Sequence, residues 1–129
     1  STYLQRMEMS LTLLFELLRS DLPSRFDKAK ELSQTYESAQ LWEILAYWKS
    51  GWRDILLLQT EIANGLTYVG KRQILEETAK RFSLNDTVRV LKNLDKAQIS
   101  LHRHANTQLL IENLLLDLPQ VLADPVEIS

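Results

Sequence analysis

Glycine fills only three of the 129 positions and proline only three, so this chain has few places to turn sharply. A many-stranded sandwich or barrel needs a turn signal every 8–12 residues or so, and that scarcity disfavours one. Leu, Glu, Lys, Arg and Gln, all good helix formers, take up much of the sequence instead. The expectation is an all-α fold, a compact bundle of about six helices in one domain over residues 1–119, with a loose tail over 120–129. A chain of this length buries roughly 65–70% of its unfolded surface, enough for a real core.

Helical spacing supports this along most of the chain. Thr2-Tyr3-Leu4-Gln5 has the form of a capping box, and Leu4, Met7, Leu11, Leu14 and Leu18 follow at steps of three and four, predicting a helix from about Tyr3 to Arg19. Asp21-Leu22-Pro23-Ser24 interrupts it, and Ser24 is expected to cap a short second helix carrying Phe26, Ala29 and Leu32. A long third helix is expected from about Tyr36 to Ala63, with Gly51 inside it and Asn64-Gly65 as its stop. A fourth bears Ile74, Leu75, Thr78, Ala79 and Phe82. A fifth, opened by Ser83-Leu84-Asn85-Asp86, places Leu84, Val88, Leu91, Leu94, Ala97, Leu101 and Ala105 on its inner stripe. Asn106 fits the N-cap of a sixth, which is apolar on nearly every side and stops at Pro119, so it is either central or at an interface.

The third helix carries the most unusual local pattern, Trp52-Arg53-Asp54-Ile55-Leu56-Leu57. Leu41, Leu45, Trp48, Trp52, Ile55, Gln59 and Ile62 share one face, which sets Arg53 and Asp54 at the margin of a buried stripe. Neither has an opposite charge three or four residues away. Partners are therefore expected from elsewhere, because a charge near a core without one costs several kcal/mol.

Composition excludes several functions. With no cysteine, a disulfide framework, a thiolate metal site and thiol redox chemistry are ruled out, and a reducing cytoplasm is permitted. The formal net charge of -2, with acidic and basic residues mixed, argues against a dedicated phosphate-binding surface, so any nucleic-acid affinity would be local. No apolar run approaches the roughly 18–20 residues of a membrane span, and no signal-peptide pattern opens the chain. The absence of an initial Met suggests a fragment of something longer.

Gly65-Leu66-Thr67-Tyr68-Val69-Gly70-Lys71-Arg72 copies the glycine and lysine spacing of a phosphate loop. Arg72 stands where a magnesium-holding Ser or Thr belongs, and a helix precedes it where a strand is needed, so no nucleotide site is assigned. His102 and His104 point roughly 200° apart on a helix and cannot converge on a metal. Glu76 and Glu77 face different ways, and no nucleophile, base and orienting acid are singled out. No catalytic residue, cofactor or metal is expected. Arg89, Lys92, Lys96 and Arg103 line one side of the fifth helix, either as a solvated face or as a stripe that meets phosphates or an acidic partner.

Trp52-Arg53-Asp54 with the following leucines, and then Asn106-Thr107-Gln108-Leu109-Leu110-Ile111-Glu112-Asn113-Leu114-Leu115, together resemble the C-terminal collar domain of bacterial DNA polymerase III clamp-loader subunits. The likeness is greatest to delta prime, with gamma/tau second. It covers about Trp48 to Pro119. Asn106, Leu109, Glu112, Leu114 and Leu115 match the Asn-x-x-Leu-x-x-Glu-x-Leu-Leu motif of the last collar helix. An Asn-x-Asp often found between the motifs is replaced by Thr67-Tyr68-Val69-Gly70, and a common basic position holds Gln108.

The resemblance implies a non-catalytic oligomerisation domain that holds a five-subunit ring together during DNA replication in the cytoplasm. An ATPase-type module would lie N-terminal to Ser1. Its partners would be other loader subunits, with DNA met only through the complex and no membrane or small-molecule substrate. Trp42, Tyr47, Trp48 and the leucines are candidate contacts, and Arg53 and Asp54 are expected to fix helix register through Asn106 or Glu112.

Overall fold

The computed structural model describes residues 2–61, 69–103 and 106–121, and every regular element among them is helical. The helices are α1 (Tyr3–Leu18), α2 (Leu22–Thr35), α3 (Ser38–Gln59), α4 (Arg72–Arg81), α5 (Leu84–His102) and α6 (Thr107–Leu116), with a 3-10 turn at Val69–Lys71 leading into α4. The expected all-α bundle of six helices is what forms.

Local side chains start most of these helices. Thr2 accepts the Gln5 backbone N–H at 3.2 Å while the Gln5 side-chain oxygen accepts that of Thr2 at 2.9 Å, a reciprocal cap. Ser83 and Asp86 repeat the arrangement at α5, at 3.0 and 3.3 Å. At α2 the cap is Asp21, which accepts the Ser24 N–H at 2.8 Å, and not Ser24 as the sequence suggested. Pro23 then sits in the first turn, where its missing N–H needs no partner, so it opens the helix that it was expected to delay. Hydrogen bonds from Ser24 hold the Asp21 carboxyl below the usual carboxylate range.

α3 ends at Gln59, earlier than expected. The Thr60 hydroxyl donates to Leu56 and Leu57 carbonyls, and Glu61 turns the chain with φ 61°, a left-handed conformation that costs a non-glycine residue about 1–2 kcal/mol. The expected stop at Asn64-Gly65 lies outside the described residues, as do Ile62, Ala63, His104 and Ala105.

α3 is the hub, packing against α1, α4 and α5, while α6 lies between α2 and α5. Leu41, Leu45, Trp48, Trp52 and Ile55 supply its buried stripe, as their spacing predicted, and meet Leu11, Leu14 and Leu18 from α1 in one continuous core. Gly51 is buried within α3, which continues through it. The α5 stripe is rotated from expectation: Thr87, Val90, Leu94, Ala97, Gln98 and Leu101 face inward, whereas Leu84 is 48% and Val88 37% exposed. Thr87 can be buried because its hydroxyl donates to the Ser83 carbonyl at 3.3 Å, leaving no unpaired polar group.

Candidate functional site

The Trp52-Arg53-Asp54 segment divides between core and solvent. Asp54 is 1% exposed and engaged within the fold, while Arg53 lies in solvent, so adjacent residues 100° apart on α3 face opposite environments. Arg53 therefore does not fix helix register as the sequence suggested. Asn106 and Glu112, its expected partners, serve their own helix: the Asn106 side-chain oxygen accepts the Leu109 N–H at 3.1 Å, and Glu112 accepts from Gln108 at 2.8 Å.

That cap gives the Asn-x-x-Leu spacing a physical reason. The side chain at N-cap reaches the backbone N–H three residues on, one of the four donors that the first turn leaves without an intrahelical acceptor. Asn106→Ala is expected to cost about 1 kcal/mol, with Asn106→Asp close to wild type. Urea melts check this, and equal midpoints for all three proteins would remove the capping role.

The two tryptophans of α3 are both buried but differ in chemistry. Trp48 Nε1 donates to the Ser10 carbonyl of α1 at 2.7 Å. Trp52 lies with its ring centroid 5.9 Å from that of Phe82, and its buried Nε1 has no acceptor among the described residues. Two turns further on, Gln59 donates to the Ala79 and Phe82 carbonyls at 3.3 and 2.9 Å, closing the end of α4 onto α3. Tyr47 is buried and its hydroxyl donates to Glu43 at 2.7 Å, and Arg6 of α1 meets the same carboxylate oxygen at 2.6 Å. The Tyr47 and Arg6 donors hold the Glu43 carboxyl below its ordinary range, while burial, followed by the carboxylate, pushes the Tyr47 phenol up. Of the aromatic contact candidates only Trp42 reaches the surface, at 40% exposure beside the His102 ring.

Arg25, which sequence reading passed over, is the most heavily bonded side chain in the described structure. It is 0% exposed. Nε donates to the Leu17 carbonyl at 2.9 Å, Nη1 to Leu115 and Leu118 at 3.2 and 2.5 Å, and Nη2 to Leu18 and Pro119 at 3.5 and 3.0 Å. All five N–H directions of the guanidinium meet carbonyls at the ends of α1 and α6, where the helix dipoles are negative. Burial lowers its pKa from the ordinary arginine value, yet an arginine stays charged in a folded protein. Beside it, the Val121 N–H reaches the Leu18 carbonyl at 2.7 Å and Gln120 reaches that of Ser20 at 3.1 Å. These first two residues of the expected loose tail are thus anchored; residues 122–129 lie outside the described part.

α6 buries Ile111, Leu114 and Leu115, yet presents Leu109 at 52% and Leu116 at 37% exposure. Two turns apart, these two leucines share the outer face. No group of three or more His, Asp or Glu side chains that could hold a metal ion exists among the described residues. Of the phosphate-loop mimic, residues 65–68 lie outside the described part, while Lys71 pairs with Glu8 at 3.5 Å and Arg72 with Glu76 at 2.7 Å. A cleft of about 550 Å³ between α1 and α4 is lined by Leu11, Phe15 and Ile74 together with Glu16, Arg19 and Glu77. No helix among the described residues is long and apolar enough to cross a membrane. The chain matches no known protein-family model, no curated protein and no solved structure.

Proposed function

We propose that this chain is the helical assembly domain of a bacterial clamp-loader subunit, nearest to delta prime and next to gamma/tau, and that it works by binding neighbouring subunits. The observation that carries the reading is the way both resembling segments are used. Trp52 and Asp54 are spent inside the core, Asn106 caps α6, and Leu109 of the same motif is left facing outward with Leu116. Residues of both segments thus build a domain and expose an apolar helix face, which suits assembly. Expected partners are the other loader subunits.

The test is association. The full-length parent, tagged, is expected to co-purify with the loader subunits of its own organism in stoichiometric amounts. Leu109→Arg, at an exposed position, is expected to weaken that association by about 10-fold or more while leaving the melting temperature unchanged. A parent that enters no such complex overturns the reading.

A further inference from the structure

We infer that the outer face of α5 binds the phosphodiester backbone of a nucleic-acid duplex, a property separate from assembly and not dependent on it. Lys92, Lys96 and Arg103 are all exposed, and none has a carboxylate or hydrogen-bonding partner among the described residues. At 100° per residue they fall within about 40° of one another, directly opposite the buried Leu94.

The other charges of the helix are already committed. Asp95 pairs with Lys49 of α3, and Asp86 caps its own helix and meets Arg89 at 3.6 Å. Arg89, the fourth member of the stripe in the sequence, is drawn toward α6: it lies 3.7 Å from the Asp117 carboxylate and 3.5 Å from the Asp117 carbonyl, while Asn93 donates to the same carboxylate. Arg89 thus belongs to the fold, and three cations remain without a paired acid among the described residues. Beside them a groove of about 380 Å³ between α5 and α6 is lined by Lys96, by Ser100 and Asn113, which add neutral donors, and by the Asp117 carboxylate that Arg89 and Asn93 hold.

The three cations can meet separate phosphates of a duplex. A helix rise of 1.5 Å puts Lys96 about 6 Å beyond Lys92 and Arg103 about 10.5 Å beyond Lys96, whereas DNA charges advance about 3.4 Å along an axis around which each strand also winds. Flexible stems absorb the remaining mismatch. An acidic partner helix would need a continuous apolar seam at steps of three and four, whereas the exposed Val88 and Ile99 stand three turns apart with Lys92 and Asp95 between. Single strands are held largely by stacking on aromatic side chains, and the one aromatic ring of α5, His102, lies beside Trp42 about 100° around the helix from the centre of the cationic face. With the chain at a formal net charge of -2, attraction comes from this local face alone, and contact to phosphates without base edges carries no sequence preference.

Fluorescence anisotropy with a labelled 20-base-pair duplex of mixed sequence tests this on the 129-residue chain. The expected result is binding at low salt with log K falling against log salt at a slope of about -2.7, roughly a 40-fold loss between 50 and 200 mM. The Lys92→Gln, Lys96→Gln, Arg103→Gln triple variant is expected to lose the binding with its melting temperature unchanged, whereas Arg89→Gln keeps the wild-type slope. No binding at low salt, an affinity that the triple variant retains, or preference for poly-glutamate over the duplex would each overturn the inference. Because the readout involves no other subunit, it stands or falls apart from the assembly proposal.

Discussion

Arg25→Met is expected to destabilise the domain by about 3–5 kcal/mol, a fall in Tm on the order of 10–20 °C for a chain of this size. The opposing argument is serious: burying a charge costs several kcal/mol, and apolar side chains of similar volume can replace buried ion pairs at no loss. That result holds when both partners are replaced together. Here the partners are five backbone carbonyls of Leu17, Leu18, Leu115, Leu118 and Pro119, which no side-chain substitution removes. A Met at this position leaves them facing a thioether; Leu17, Leu18 and Leu115 keep backbone donors from Ser20, Val121 and Leu118, but the Leu118 and Pro119 carbonyls lose the guanidinium, and each buried acceptor without a donor costs about 1–3 kcal/mol. Arg25→Lys should fall between, since an ammonium is a compact charge with three donors where the site presents five acceptors. Thermal melts of the three proteins give the answer, and a Met variant melting with wild type would show that the ends of α1 and α6 need no common donor.

Trp48→Ala is expected to cost about 3–5 kcal/mol, the range for emptying a buried aromatic site. Trp48 is 1% exposed and bridges the hub helix α3 to α1 through its bond to Ser10. Two smaller variants separate packing from hydrogen bonding. Trp48→Phe removes the donor while the Ser10 carbonyl keeps the N–H of its own helix, so the lost bond adds about 0.5–1.5 kcal/mol to the loss of area. Trp52→Phe removes an N–H that lacks an acceptor among the described residues, so the lost area is offset by relief of a buried unpaired donor and the net change is smaller. Urea titrations with a common m-value check the order Trp48→Ala, Trp48→Phe, Trp52→Phe from most to least destabilising. Equal midpoints for the two Phe variants would show that neither indole N–H matters to the fold.

What could be read from the sequence was what local rules determine. The Thr2, Ser83 and Asn106 caps each rest on a side chain meeting a backbone donor three residues away, and all three form. The α3 stripe was equally plain, because strongly apolar residues carry a clear period. Where a polar residue belongs to the buried face, apolarity misled. In α5 it favoured Val88 over Thr87, although Thr87 hides its hydroxyl against its own helix. In α2 it favoured Phe26, which is 45% exposed, over Arg25, although Arg25, Ala29 and Leu32 share the inner face at steps of four and three. Arg25 binds carbonyl groups more than ninety positions away along the chain, and backbone groups carry no letter in the sequence. The inner Asp54 could not be told from the outer Arg53 because the two flank the apolar stripe of α3 at about equal angles.

The separation between Arg25 and its acceptors also sets a clock on biosynthesis. Translation proceeds at about 5–20 residues per second, so roughly 5–20 seconds pass between the synthesis of Arg25 and that of Leu115 to Pro119. Through that interval the guanidinium can meet only the α1 carbonyls, and α2 has no α6 to lie against. The nascent chain can gather α1, α3, α4 and α5 beforehand, whereas the carbonyl cage of the guanidinium and the contact of α2 with α6 can be completed only once the last helix has been made.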